Sequence, residues 1–226
     1  MDCSKKKVVK LSIVCSIVTV VIITIASVII FHNREKNKSM AANVADICNE
    51  INDDINAMSS ISPEIAMSSN PFDYIENSDG YDKLVNLGVE AIPTLEESIR
   101  DGDGGLISYM LAVAMEEIAK CSVYEVTGID WSTSKEFESA LIKLKNESYE
   151  NIEDIIKSDT DIDKKIEQLK PYGVFVIPVI DSVEQNMNTR KFSNINIEDM
   201  KAIANYKEEY GLTTDEVELL TNYMQN

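Results

Sequence analysis

Apolar residues recur along most of the chain at intervals of three and four, which is the spacing of one face of an α-helix. The first stripe predicts an amphipathic helix from about Met40 and consists of Val44, Ile47, Ile51, Ile55 and Met58. Later stripes consist of Leu106, Met110, Val113, Ala114 and Ile118, then Phe137, Leu141 and Leu144, then Ile152, Ile155 and Ile156. Since no stretch of comparable length alternates with a period of two, the pattern predicts an all-α fold.

Helix start and stop signals accompany these stripes. Thr133 and Thr213 are each followed three residues later by a glutamate, Glu136 and Glu216, which is the pattern of a capping box. Gly211 stands where a helix end requires a left-handed residue. The Ser-rich stretch 59–70, with Pro63 and Pro71, predicts a linker or a long loop.

An apolar run near the N-terminus has a different length and pattern. Leu11–Phe31 holds 21 consecutive uncharged residues, enough for a helix to cross the hydrocarbon core of a bilayer, which is about 30 Å thick. It is flanked by basic residues, which are Lys5, Lys6, Lys7 and Lys10 before it and Arg34, Lys36 and Lys38 after it. The run predicts a transmembrane helix with the N-terminus in the cytoplasm and the C-terminal part outside it.

A cleaved secretory signal is the competing interpretation of the same run. Ser39-Met40-Ala41 has the small-x-small pattern of a cleavage site. However, the run is longer than the apolar region of about 7–15 residues in such signals, and charged residues separate it from that pattern. We therefore expect a retained anchor, and the predicted organisation is a basic tail over 1–10, a transmembrane helix over 11–31, a juxtamembrane helix and linker over 32–70, and a helical domain over 71–226.

The charge of the chain is divided unevenly about the predicted anchor. Residues 1–38 hold 7 basic and 2 acidic side chains, whereas the remaining residues hold 14 basic and 37 acidic ones, a net charge of −23. Nucleic-acid binding needs a basic surface, so nucleic acid is an unsuitable partner. An acidic surface attracts cations or basic partners, although a charged face that simply keeps the domain soluble has the same composition.

Two segments repeat at an offset of 85 residues. Residues 84–95 read LVNLGVEAIPTL and residues 169–180 read LKPYGVFVIPVI, with Leu, Gly, Ile-Pro and a final aliphatic residue at matching positions. We interpret each as a helix junction, in which Gly ends one helix and Pro lies near the start of the next. The offset is about twice the 40–47 residues of a helical-pair repeat, which leaves room for one further pair.

The segment from Asn70 to Tyr124 resembles HEAT-repeat modules of poorly characterised, membrane-anchored envelope proteins of Gram-positive bacteria. The resemblance rests on the opening Asn70-Pro71-Phe72-Asp73-Tyr74-Ile75, on the Leu-Gly-x-x-Ala-Ile-Pro junction, and on the Leu-Ala-x-Ala-x-Glu-Glu-Ile string from Leu111 to Ile118. It implies an α-helical solenoid fragment behind one membrane anchor and brings no catalytic residues. Past Tyr124 the likeness is weaker, since Phe175 and Val176 replace Glu90 and Ala91 of the first junction.

Histidine and cysteine usage restricts the chemistry of the predicted domain. The only histidine, His32, lies at the predicted membrane edge, which excludes His-dependent triads and His-based metal sites further along the chain. Cys48 and Cys121 could pair as a disulfide or lie buried separately as thiols. Ser132 and Lys135 fit a Ser-x-x-Lys pattern, but the rest of that catalytic set is absent and a helix N-terminus explains them better.

Clusters of acidic residues suggest sites for cations, but their residue spacing lacks features that a calcium loop requires. Asp159, Asp161 and Asp163 have the first ligand spacings of a calcium loop, but Lys164 and Lys170 stand where Gly and Glu are required. The run Asp101-Gly102-Asp103-Gly104-Gly105 is typical of a tight connection between helices. Glu116 and Glu117 could belong to a carboxylate pair, but a contact of one with a neighbouring helix terminus and exposure of the other is the simpler expectation.

These patterns predict a single-pass cell-membrane protein whose extracytoplasmic helical-repeat domain binds another protein or a cell-envelope component, and the acidic surface leaves a cationic partner as one option. No catalytic, cofactor-binding or metal-binding residue is assigned, and no enzymatic activity is expected. The alternative is a cell-envelope enzyme that hydrolyses glycans with carboxylates alone, which requires two carboxyl groups facing each other across a cleft.

Overall fold

The computed structural model describes residues 24, 27, 31, 34–58, 60, 68, 70–187, 192 and 195–225. These residues form helices and connecting loops, and none of them belongs to a β-strand. The prediction of an all-α fold is therefore confirmed.

The chain divides into two units, Met1–Asn43 and Val44–Asn226. In the first unit residues 34–43 are helical, so helix begins earlier than the predicted start near Met40. The predicted span over 11–31 lies outside the described residues except at 24, 27 and 31. Among the residues that the structure describes, no helix combines the length and apolar character that crossing a membrane requires.

The second unit begins with helix α1 over 44–58. The following helices are α2 (Phe72–Ile75), α3 (Asp79–Val85), α4 (Ile92–Asp101), α5 (Leu106–Ala119), α6 (Val123–Thr127), α7 (Ser134–Lys157), α8 (Ile162–Leu169), α9 (Ile177–Asn186), α10 (Ile197–Glu208) and α11 (Thr214–Gln225). Short 3₁₀ segments at Val89–Ala91 and Lys170–Val176 precede α4 and α9. The predicted linker at 59–70 lies outside the described residues, apart from 60, 68 and 70.

The apolar stripes form the core of this second unit. Buried members include Val44, Ile47 and Ile51 in α1, Met110, Ala114 and Ile118 in α5, and Phe137, Leu141, Leu144, Ile152 and Ile156 in α7. The two stripes predicted over 137–156 belong to one helix of 24 residues. Ser148 interrupts the apolar pattern but is itself buried. Its hydroxyl donates to the carbonyl of Leu144 at 2.5 Å, so the buried polar group has a hydrogen-bond partner.

The internal repeat appears as two matching junctions. Helix α9 begins and ends 85 residues after α4, and each has proline as its second residue. Each is preceded by 3₁₀ structure and by a glycine with positive φ, 69° at Gly88 and 55° at Gly173. Non-glycine residues rarely adopt this backbone conformation, which explains the shared glycine.

The repeated unit contains three helices rather than two. In the first helix triplet, α3 and α4 both pack on α5, and in the second helix triplet α8 and α9 both pack on α10. Between the triplets, α6 and the long α7 occupy the sequence left for a further pair, and α7 contacts α4 and α5 as well as α8 and α9. Helix α11 contacts both 3₁₀ segments, a long-range closure that an open stack of repeats lacks.

The predicted helix-terminal signals are confirmed. The hydroxyl of Thr133 accepts from the amide of Glu136, whose carboxylate accepts from the amide of Thr133, so both halves of the capping box are present. Thr213 and Glu216 make the same exchange before α11. Gly211 follows α10 with a φ of 64°, the left-handed conformation that its position predicts.

Gly173 joins the second junction to the end of α5. A β-carbon at this position would overlap the carbonyl oxygens of Ala119 and Lys120, so the two backbones touch directly. Beside this contact, the amide of Ser122 donates to the carbonyl of Pro171 at 2.8 Å. The second junction is thereby fixed to the connection between α5 and α6.

We expect Gly173→Ala to destabilise the protein more than Gly88→Ala does. Both substitutions place a β-carbon at positive φ, which costs about 1–3 kcal/mol. Only at Gly173 does the new atom also collide with backbone, because nothing lies within 4 Å of a β-carbon at Gly88. The collision adds about 1–3 kcal/mol to the loss of unfolding free energy, measurable by urea denaturation followed by circular dichroism.

Gly88→Ala is the matched control, since it changes the corresponding residue of the other junction. Equal losses of unfolding free energy for the two variants would contradict the close contact at Gly173.

Candidate functional site

An open groove of about 460 Å³ lies between α2, α5 and the loop before α7. Its apolar lining consists of Phe72, Tyr109, Val113 and Trp131. Phe72 is 46% exposed, which is a large exposed fraction for an apolar aromatic side chain. Glu116 and Glu117 line the same space, so we name it the acidic groove.

Trp131 is held in the groove by aromatic packing. Its ring centroid lies 5.2 Å from that of Tyr109 and 4.8 Å from that of the buried Phe137 in α7. The contact with Phe137 is edge-to-face, a favourable arrangement for two aromatic rings. The loop between α6 and α7 is thereby fixed against α5, with one side of the indole left on the groove.

Glu116 is half-buried in the lining and connects α5 to α6. Its Oε1 accepts a hydrogen bond of 2.6 Å from the amide of Val123, the first residue of α6, which has no partner within its own helix. Burial raises the pKa of Glu116, and hydrogen bonds from Val123 and the Trp131 side chain oppose part of that rise. The expected contact with a neighbouring helix terminus is confirmed for this residue.

Glu117 is exposed at the edge of the groove and connects α5 to α3. Its Oε2 accepts a hydrogen bond of 2.9 Å from the hydroxyl of the buried Tyr81. Burial, followed by this bond to a carboxylate, raises the pKa of Tyr81, so the hydroxyl keeps its proton and remains a donor. One hydrogen bond therefore connects Glu117 to α3, although its carboxylate faces solvent.

The chain turns sharply at Lys120, an exposed residue that also lines the groove. Lys120 ends α5 in the left-handed conformation, with a φ of 48°. The amides of Lys120 and Cys121 donate to the carbonyls of Glu117 and Glu116, which is the bonding of a Schellman motif. The Lys120 ammonium lies 5.6 Å from the centre of the Tyr210 ring in α10.

The cysteine and serine candidates do not form a reactive site in the structure. Cys48 and Cys121 are free thiols, the first partly exposed and the second buried. Burial raises the pKa of both thiols, which disfavours the reactive thiolate. The hydroxyl of Ser132 donates to Glu136 at 2.9 Å, as part of the N-terminus of α7.

The two aspartate clusters belong to helix ends. Asp161 accepts from the amide of Asp163 and caps α8, which is the polar helix start expected there. Asp103 accepts from the amide of Gly105 at 2.8 Å within the connection between α4 and α5. Among the described residues, no group of three or more His, Cys, Asp or Glu side chains is arranged to hold a metal ion.

Several residues of the acidic groove carried no signal in the sequence. Tyr109 belongs to α5, and Trp131 lies 22 positions later in a loop, so no local spacing connects them. Phe72 belonged to the motif of the HEAT resemblance without a predicted role. Its high exposure and its position in the lining of the same groove as Trp131 emerge only from the tertiary structure.

The buried carboxyl makes the effect of pH on stability testable. Because the pKa of Glu116 is raised in the folded protein, its ionisation disfavours folding as the pH rises from about 4 towards 7. We expect the unfolding free energy of Glu116→Gln, relative to the unsubstituted protein, to increase over that interval. Urea denaturation at successive pH values measures the difference.

The control is Glu150→Gln, which removes a carboxylate from an exposed position on α7. We expect the stability of this variant to follow that of the unsubstituted protein throughout the interval. A constant difference between Glu116→Gln and the unsubstituted protein would contradict a desolvated Glu116.

No protein-family model, curated protein or solved structure matches the chain. The roles proposed for the groove residues therefore rest on their distances, burial and charge.

Proposed function

We propose that the protein is a scaffold held in the cell membrane by residues 11–31, and that its extracytoplasmic helical domain binds another protein. The observation that carries this proposal is the acidic groove, in which the exposed Phe72 and the partly exposed Tyr109 and Trp131 line the same space as two carboxylates. Tyrosine and tryptophan contribute much of the binding energy of protein interfaces, so partly exposed Tyr109 and Trp131 in one groove favour an interaction site. No catalysis is required of this arrangement.

The apolar run and its basic flanks support the anchor. A stretch of 21 uncharged residues is long enough to cross a bilayer, and the acidic remainder, with a net charge of −23, would be repelled by anionic lipid headgroups. A cleaved signal would place the same domain outside the cytoplasm without an anchor, so membrane retention distinguishes the two forms of the proposal.

The duplicated helix triplet supports a relation to HEAT-like repeats. Two copies with matching Gly and Ile-Pro junctions are consistent with duplication of one structural unit, and repeat proteins commonly bind partners through surfaces built from successive helices. The closure of the fold by α11 distinguishes this domain from an open solenoid. The proposed family relation thus concerns the repeated junction rather than the whole architecture.

A glycan-hydrolysing enzyme is the second candidate function, and Glu116 is the observation that favours it. A carboxyl whose pKa burial raises, beside aromatic side chains on an open groove, has the properties of a general acid. Glu117 follows it directly in α5 and accepts from Tyr81, so a facing carboxylate would have to come from elsewhere. Release of soluble glycan from purified cell walls, abolished by Glu116→Gln, would favour this candidate.

We expect the chain to remain in the membrane and to expose its helical domain outside the cytoplasm. Washing membranes at high pH should leave the chain in the pellet, because lipid rather than charge holds it. Protease added to intact, wall-stripped cells should degrade the domain, with a cytoplasmic protein as the control. Protection of the domain until the cells are lysed would contradict the topology.

We also expect a partner protein to be cross-linked from the groove. A photoreactive phenylalanine analogue in place of Phe72 keeps the aromatic ring and places the reactive group at the groove surface. Ultraviolet irradiation of cells should then produce a defined higher-mass product on a denaturing gel. The same analogue in place of Glu150, exposed on α7, is the control, and equal products at both positions or none at Phe72 would contradict an interface at the groove.

A further inference from the structure

We propose that the acidic groove binds the Arg or Lys side chain of an extended basic segment in the partner protein, with the aromatic rings packing on the cation and Glu116 and Glu117 neutralising it. This inference rests on the proposed protein-binding function and specifies the chemistry of the partner. The occupant is thus a peptide segment that presents a positively charged side chain.

Charge complementarity is the first argument for this occupant. Two carboxylates line the groove, and the ammonium of Lys120, the basic side chain of the lining, lies over Tyr210. Beyond the groove the domain is strongly acidic, so its field attracts a basic segment and repels an acidic one. Charge alone, however, would direct a basic segment to any part of the surface.

The aromatic lining supplies the local preference. Tyr109 and Trp131 present rings to the same space as the two carboxylates, and a guanidinium or ammonium group is attracted to the face of such rings. Phe72 and Val113 offer apolar surface for the methylene groups of an Arg or Lys side chain. A long side chain with a charged end fits this groove, because its methylene groups can pack on the apolar wall while its cation meets the carboxylates.

Glu116 is positioned for the contact before any ligand arrives. The Val123 amide fixes one oxygen of its carboxylate, and the packing of Trp131 on Phe137 fixes the neighbouring ring. Neither group needs to be reordered on binding, so little conformational entropy is lost on the protein side. In the free protein the half-buried carboxylate has lost part of its water, and a bound cation would provide a charged partner.

The experiment uses the full chain in a non-ionic detergent and two synthetic decapeptides. One peptide alternates Arg with Ser, and the other carries the neutral isostere citrulline in place of every Arg. Trp131 is the only tryptophan, so its fluorescence reports directly on the groove. We expect the Arg peptide to change the emission of Trp131 and to bind at least about 10-fold more tightly than the citrulline peptide, as titration calorimetry would measure.

Charge-removing variants locate the binding. Glu116→Gln keeps an acceptor for the Val123 amide and should weaken binding of the Arg peptide about 10-fold, because its carboxylate is partly desolvated. Glu117→Gln should weaken it about 3-fold, the effect of an exposed ion pair. Glu150→Gln removes an equal charge outside the groove and should leave the dissociation constant unchanged.

Three results would overturn this inference. Equal weakening by all three variants would show attraction by the acidic surface as a whole. Binding of the citrulline peptide as tight as that of the Arg peptide would show that charge is not recognised. Binding of a chitin oligosaccharide instead of the Arg peptide, lost in Glu116→Gln, would show that the groove recognises glycans.

The proposed function and this inference fail separately. If a partner is cross-linked from position 72 but its binding is unaffected by Glu116→Gln and Glu117→Gln, the protein-binding function would stand. The inference that the partner presents a basic segment would be rejected. No cross-linked protein, together with binding of the Arg peptide at the groove, would reject the protein-binding scaffold and retain the groove's preference for a cation.

Discussion

Gly173 lies against the last turn of α5 so closely that no side chain fits between the two backbones. The Ser122 amide bonds the carbonyl of Pro171 beside this contact, so the second junction is attached to the corner at which α5 turns into α6. That corner includes Lys120 in a left-handed conformation and places Val123 within reach of Glu116. The contact between the two repeated regions therefore also shapes the end of the acidic groove.

The long helix α7 and the helix α11 make further contacts that join the first triplet to the second junction. Phe137 of α7 supports Trp131, while Lys145 of α7 pairs with Glu96 of α4 at 3.2 Å and lies over the ring of Tyr223 in α11. Tyr223 stacks in turn on Phe175 of the second 3₁₀ segment. The groove consequently lies beside a helix, α7, that packs on helices of both triplets.

Equivalent helices of the two triplets are joined by different polar contacts. In the first triplet, Tyr81 of α3 donates to Glu117 of α5. In the second, the buried Lys165 of α8 pairs with Asp199 of α10 at 2.9 Å. The two triplets thus share the backbone geometry of the junction, where glycine and proline restrict the alternatives, but differ in the side chains that join the outer helices. Glu117, which accepts from Tyr81 in the first triplet, also lines the acidic groove.

Local patterns in the sequence determined the elements of this domain. The three-and-four spacing, the Thr133 and Thr213 caps and the repeated Gly and Ile-Pro positions suffice because they act through backbone geometry within a few residues. The sequence also predicted that one of Glu116 and Glu117 contacts a neighbouring helix terminus, and the structure shows that this residue is Glu116. Only the tertiary structure showed that Phe72, Tyr109 and Trp131 line one groove. It also showed that the two stripes of α7 belong to one helix across the buried Ser148, and that α11 packs on the first 3₁₀ segment. These features depend on packing between distant segments, which no local spacing encodes.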